Sequence, residues 1–440
     1  VLAIALQVLF NHKYVAYFAM ILYYVATASF GTLGLDHPMI LYGTSPEFVY
    51  SAMNGFGHYL ARERWFELYW GGFALMLAVL SLVFWPRGCN DEFGSRLRMA
   101  RRNLSTPVLA TFAIGLAIVL GAGGVLYYNL HIANDFQTAW QADQQRAEYE
   151  LRYKPLANAP QPRITDVDLR VDIQPEARSL KVRGRYLLEN RTNTAINQVI
   201  VNQDRRAGLK VRFSQAAQPL LSDRERGVYM WRLTTPLAPG QRVAMDFEVA
   251  YAPKGIAGLG MDTPVIGNGT FFSKDALPEI GYMRRVELAD ERDRKRHGLP
   301  PRERMFARDD PKGRADSYIS SDADWINFNA VVSTSPDQIA IAPGTLEKEW
   351  LDKGRRYFHY KMDKPILNFY AFQSARYEVR HDRWRDVTID IYYHPAHDFN
   401  LDRIVRGVKA SLEYYSANYS PYQHKVVRVV EFPRYATFAQ

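Results

Sequence analysis

Three long runs without a charged residue constrain this chain more than any other feature: Tyr14–Leu35 (22 residues), Leu68–Trp85 (18 residues) and Val108–Tyr128 (21 residues). An α-helix rises about 1.5 Å per residue, so roughly 20 apolar residues cover the hydrocarbon core of a bilayer. Tyr69, Trp70, Trp85, Tyr127 and Tyr128 cluster at the ends of these runs, where amphipathic rings favour the membrane interface. Uncharged helices of this length are rare in water-soluble proteins. The expectation is a transmembrane part over residues 1–130, with spans near 14–35, 68–85 and 108–128. Val1–Phe10 is already apolar and has no basic segment before it and no small-residue cleavage site after it. It therefore reads as the end of an earlier buried helix in a longer protein, not as a signal peptide.

Orientation follows from the loops. Pro86–Pro107 holds Arg87, Arg96, Arg98, Arg101 and Arg102 against Asp91 and Glu92, while Asp36–Glu67 holds only Arg62 and Arg64 against four acids. The positive-inside rule makes the second loop cytoplasmic and everything after Tyr128 extracytoplasmic; Lys13 agrees. The single cysteine, Cys89, excludes an intrachain disulfide and falls in the reducing compartment. The net charge of +9 comes from arginines in that loop and from mixed stretches such as Glu291–Arg296. Mixed signs describe a solvated surface, and no nucleic-acid partner is expected.

Residues 131–162 read as a stalk and linker. Asn134–Leu151 is polar and rich in helix formers, continuing the third span outward, and Lys154–Pro162 is proline-rich. Beyond it the period changes to two: Val167, Leu169, Val171 and Ile173 alternate with polar residues, as do Val243, Met245, Phe247, Val249 and Tyr251. Turn signals at Gln174-Pro175-Glu176, Glu189-Asn190, Pro239-Gly240 and Asn268-Gly269 separate short strands. This pattern predicts an antiparallel β-sandwich or saddle over 163–380, with Glu287–Arg314 as a long surface excursion. From residue 381 the pattern changes again. A strand at Val387–Ile391, helical spacing of Leu401, Ile404, Val405, Val408 and Leu412 behind the N-cap candidate Asn400, and an apolar run Val426–Val430 open an α/β domain.

The chain contains no P-loop, no G-x-S-x-G and no H-E-x-x-H. His394 and His397, beside Asp398, have ligand-like spacing, but a metal needs a third ligand and Pro395 prevents a helical turn from aligning the rings. They read as loop histidines that pack or hydrogen-bond locally. His359 and His424 read as satisfied core or edge histidines. Aromatic pairs such as Phe271-Phe272, Phe369-Tyr370 and Tyr414-Tyr415 could line a carbohydrate or peptide cleft; packing in a sheet core is their commoner use.

Ile164–Asn190, Asn327–Ser333, Ile339–Gly344, Asn368–Val379 and, most strongly, Val387–Tyr435 resemble the successive opening segments of aminopeptidase N-like (gluzincin) zinc metallopeptidases. The resemblance implies a β-saddle domain followed, over 381–440, by the truncated start of a thermolysin-like catalytic domain. It also implies zinc and peptide hydrolysis in a full-length protein, this chain being an internal fragment that ends before the zinc motif. No catalytic or metal residue transfers. The family holds a substrate's free amine with an acidic or amide residue, and the matching position in Gly269–Ser273 is Ser273, a weaker partner for an ammonium. The transmembrane part resembles the closing helices of a bacterial ABC-type exporter permease. That resemblance implies the inner membrane, a periplasmic soluble region, a separate ATPase subunit and a possible peptide substrate. Two alternatives stand beside it: a non-catalytic docking or binding module of a transport complex, and a tethered β-sandwich adhesion protein, which would lack the α/β opening.

Overall fold

The computed structural model describes residues 1–31, 34–57, 59–85, 93–259, 263–315 and 319–436. Cys89, Arg87, Asp91 and Glu92, used above for compartment and orientation, lie outside them. The chain divides into two compact units, one of Val1–Phe48, His58–Gln144 and Lys254–Asp262, the other of Val49–Gly57, Gln145–Pro253 and Thr263–Gln440.

In the first unit, two helices among the described residues are long and apolar enough to cross a membrane, Tyr59–Phe84 and Thr106–Ile132. The first expected span, 14–35, is the helix Lys13–Phe30, of 18 residues. At about 27 Å it falls short of a hydrocarbon core of about 30 Å, and Lys13 with four tyrosines dilutes its apolar character. The helix over the second span also starts earlier than the uncharged run. Arg62, near its start, is buried and donates to Glu63 (3.0 Å) and to the carbonyls of Pro46 (2.8 Å) and Glu47 (3.2 Å). Only 33% and 22% of the most apolar stretches of the two long helices are buried. Much of their leucine- and isoleucine-rich surface is therefore uncovered by the described residues.

Small residues let these two helices approach closely. A Cβ added at Gly72 would lie 2.9 Å from the Gly115 carbonyl, and one at Gly115 would lie 2.9 Å from Met76, the close-approach geometry of membrane helix pairs. The arginine-rich segment forms a helix, Phe93–Asn103. Arg96 is buried there and donates to the carbonyls of Leu9 (3.0 Å) and Val8 at the C-terminal end of the helix Leu2–Phe10, where carbonyls lack intrahelical partners.

The second unit is built on one large sheet. Its strands run in the spatial order Thr345–Asp352, Arg355–Lys361, Ala323–Thr334, Arg163–Gln174, Ser179–Glu189, Arg242–Tyr251 and Gly208–Phe213. The two period-two patterns are the strands on either side of Ser179–Glu189. Their apolar members, Val167, Leu169, Val171 and Ile173 on one and Val243, Met245, Phe247, Val249 and Tyr251 on the other, are all buried. The polar face carries ion pairs rather than a basic stripe, with Arg183 on Glu248 (3.0 Å) and Arg185 on Asp246 (2.6 Å). The expected all-antiparallel sheet is corrected: Arg163–Gln174 pairs in parallel with Ala323–Thr334. Parallel neighbours need a crossover connection, and nearly 150 residues separate these two strands. Gly184 sits where that sheet is tightest, since a Cβ there would meet Phe247 at 2.2 Å and Leu169 at 2.7 Å.

Val387–Tyr393, the helix Leu401–Asn418 and Val426–Val430 form the expected strand–helix–strand unit, the two strands being parallel. Val405 and Leu412 bury against Val387, Ile389 and Ile391. Asn400 occupies the N-cap position in left-handed conformation (φ 66°), but its side chain makes no capping bond.

Two other readings change. The polar stretch after the third span does not continue it: the helix ends at Ile132, and a separate helix, Ala139–Tyr153, follows after a break. Within the second unit its Tyr149, Glu150 and Tyr153 are buried. The charged excursion after Glu287 is anchored to this helix. Arg294 is 1% exposed and forms a fork on Glu150, with Nη1 to Oε2 at 2.8 Å and Nη2 to Oε1 at 2.7 Å, while its other donors reach the carbonyls of Leu288 and Pro300.

Candidate functional site

Ser273 closes the strand Thr270–Ser273 and caps the short turn Lys274–Ala276, its hydroxyl accepting from the Asp275 amide at 3.3 Å. The residue beside it is the informative one. Lys274 is buried, with its ammonium 3.5 Å from Asp275 and 3.5 Å from Glu279. Glu279 is buried as well and also pairs with Arg285. Burial pushes the Glu279 carboxyl upward, opposed by Lys274 and Arg285. Burial alone would lower Lys274, but the carboxylates of Glu279, Asp322 and Asp275 outweigh it and hold the ammonium charged. Asp322 is sealed in turn, accepting from the Ile280 amide (3.1 Å), Asn368 (3.1 Å) and the Ser320 hydroxyl. The ammonium of Lys274 thus lies among the carboxylates next to Ser273 in the chain. Such a cluster orders the strand junction, because buried charges persist only when paired.

His394 and His397 do converge, on a residue the sequence did not single out. His397 Nδ1 lies 2.5 Å from Glu431 Oε1, the His394 amide donates to Glu431 Oε2 at 2.7 Å, and the His397 amide donates to the His394 carbonyl at 2.7 Å. His394 Nδ1 accepts from the Ala396 amide at 3.2 Å. The histidines close a turn, and both oxygens of the Glu431 carboxylate are used in closing it. Among the described residues no group of three or more His, Cys, Asp or Glu side chains could hold a metal ion. The residues on hand therefore do not fit the zinc implied by the resemblance. His359 is satisfied at a sheet position, its Nε2 lying 2.7 Å from Asn329 Oδ1. His424 is not as expected: its Nδ1 is buried and has no hydrogen-bond partner among the described residues. Orphaned groups of this kind cost about 1–3 kcal/mol each.

His424 lines a cavity of about 380 Å³ within the second unit. No sequence signal marks this cavity, because its walls come from three separate stretches of chain, around 325, 343–369 and 422–428. Lys274, Glu279 and Glu431 were missed for the same reason: single charged residues amid a strand pattern carry no spacing that reveals a partner far along the chain.

No protein-family model matches the chain, and no curated protein matches it. Among solved structures, the M1 zinc metallopeptidase from Deinococcus radiodurans is similar at 14% identity over 62% of this chain and 57% of that one, with a TM-score of 0.42. A mutant of the same enzyme bound to a Tyr-Ser-Ala substrate gives 13% identity over 61% and 56%, with a TM-score of 0.40. The chain therefore spans little more than half the length of these structures. At this level of similarity no residue role passes from them to this chain.

Proposed function

We propose that this chain is a membrane-anchored, permease-like component whose β-rich unit lies on the extracytoplasmic face and binds or docks a peptide-like partner of a transport complex. These residues do not cut the partner. The observation that carries this reading is the pairing of Lys274 with Glu279 beside Ser273, which leaves that position without a free carboxylate for a substrate amine. In a longer aminopeptidase N-like protein, zinc and the hydrolytic step would rest on other residues, and a separate ATPase would drive transport.

A short segment before the second span belongs with the β-rich unit. Val49–Gly57, which precedes the helix Tyr59–Phe84, belongs to the same compact unit as Thr263–Gln440. Asn54 donates to the Asn268 carbonyl (2.6 Å) and to the Tyr435 hydroxyl (2.7 Å), and Met53 packs on Ile341, Ala375 and Tyr377.

The test uses the purified chain in lipid nanodiscs with zinc and an unblocked tripeptide. Retention of the peptide without release of its N-terminal residue is expected; zinc-dependent release overturns the reading. In right-side-out vesicles, protease added outside should cut between residues 163 and 436, and complete protection of that region overturns the orientation.

A further inference from the structure

We infer that the cavity lined by Trp325, Phe369, Tyr422, His424, Lys425 and Arg428 is a binding site for a small ligand that joins an aromatic ring to a carboxylate. It is separate from the Ser273 region and does not depend on the role proposed for it.

The cavity is about 380 Å³, at the small end of the range of about 300–1,000 Å³ typical of ligand sites. That volume suits one aromatic amino acid or a dipeptide and is too small for a long oligomer. Its walls are mixed in the way ligand sites are, with apolar surface and a few polar groups. Three large rings line the cavity, Trp325 at 55% exposure, Phe369 at 40% and Tyr422 at 37%. Exposed rings beside a concavity favour a flat apolar partner. The Trp325 strand and the segment Ile366–Leu367 that pairs with it supply one wall, and the turn leading into Val426–Val430 supplies the other.

The charges select the sign of the ligand. Lys425 has no ion-pair partner among the described residues. Arg428 Nη1 is held by the carbonyls of Gly344 (2.6 Å) and Ala342 (3.3 Å), and its guanidinium stacks 5.0 Å from the Tyr360 ring. These contacts fix the guanidinium, yet its Nε is buried with no partner, as is His424 Nδ1. Two fixed or free cations face a single lining carboxylate, Asp363. This balance excludes a cationic ligand. It also disfavours a sugar, whose hydroxyls are held by paired carboxylate and amide acceptors. A carboxylate suits this charge because a guanidinium and an ammonium both donate charge-assisted bonds to it.

The experiment titrates N-acetyl-L-phenylalanine and N-acetyl-L-phenylalaninamide into the full chain in nanodiscs, read by calorimetry. The acid is expected to bind at least tenfold tighter than the amide. Lys425→Gln is expected to weaken the acid at least fivefold and leave the amide unchanged, and Trp325→Ala to weaken both. Lys425 is exposed, so its variant should keep the parent's thermal midpoint, which is measured alongside. N-acetyl-Gly-Phe is the second arm. Equal binding identifies a peptide C-terminus as the source of the carboxylate, and binding of the single amino acid alone identifies a free aryl carboxylate; both support the site. Equal binding of acid and amide, or an unchanged affinity in Lys425→Gln, overturns it.

Discussion

Replacing Arg294 with Met tests the buried anchor of the second unit. The side chain is 1% exposed and spends its donors on Glu150, Leu288 and Pro300. Methionine keeps much of the stem and removes every donor. Breaking a buried pair from one side costs about 3–5 kcal/mol, because a charge is left behind. Lys154 remains 3.0 Å from Glu150 and recovers part of this, so about 3 kcal/mol is expected. For a unit of this size that corresponds to a fall of about 5 °C in Tm. The assay is thermal unfolding of the full chain in detergent, followed by tryptophan fluorescence. The double variant Glu150→Leu with Arg294→Met removes both charges and should lie within about 1 kcal/mol of the parent, since apolar replacement of a buried pair is often neutral. A loss below about 1 kcal/mol in the single variant would refute the reasoning, as would a double variant no more stable than the single one. The pH dependence provides a second check. Burial alone would raise the Glu150 carboxyl, but the bonds from Arg294 and Lys154 outweigh it and hold it below the ordinary value. The pair's contribution is therefore complete above about pH 4.3, the unfolded carboxyl value, and is lost as pH falls through the lower native value. In Arg294→Met, burial gains weight against the remaining Lys154 contact, so this acid-side loss should shrink or reverse.

Two further outcomes follow from other sites. Gly72→Val should separate the helices Tyr59–Phe84 and Thr106–Tyr127, because a Cβ there already meets Gly115 and Val119 at 2.9 Å; overpacking of this kind costs about 1–3 kcal/mol, read as a lower unfolding midpoint in detergent. His37 Nε2 lies 2.9 Å from His131 Nε2, and its Nδ1 accepts from the Met39 amide at 3.2 Å. Burial first, then His131, lowers the His37 pKa, with Asp36 opposing. The native state thus resists protonation more than the unfolded one, and stability falls as pH drops through about 6.5; His37→Gln should flatten that slope in the same unfolding assay.

Much of the element plan was legible in the sequence, for reasons particular to each segment. Val167–Ile173 and Val243–Tyr251 alternate because one face of each strand is buried, and Leu401–Leu412 repeats at helical spacing because one helix face packs on Val387–Ile391. The turns at Pro239-Gly240 and Asn268-Gly269 announced themselves through glycines that the chain holds at φ 76° and 88°. Local periodicity carries this information because it depends only on near neighbours along the chain. The candidate sites were not legible in this way. Ser273 was picked out by resemblance, yet the charge that decides its chemistry is the neighbouring Lys274, whose partner Glu279 cannot be told by spacing from the acids around it.

Sequence alone thus determined that this chain holds long apolar helices, a strand-rich unit and an α/β opening, since composition and period report burial directly. Tertiary structure alone decided the parallel pairing of Arg163–Gln174 with Ala323–Thr334, the return of Val49–Gly57 to the second unit, the lock of Arg294 on Glu150 and the cavity around Arg428. Each joins residues from 84 to nearly 400 positions apart. Contacts over such separations are selected by the packing of whole elements, and no local pattern encodes them.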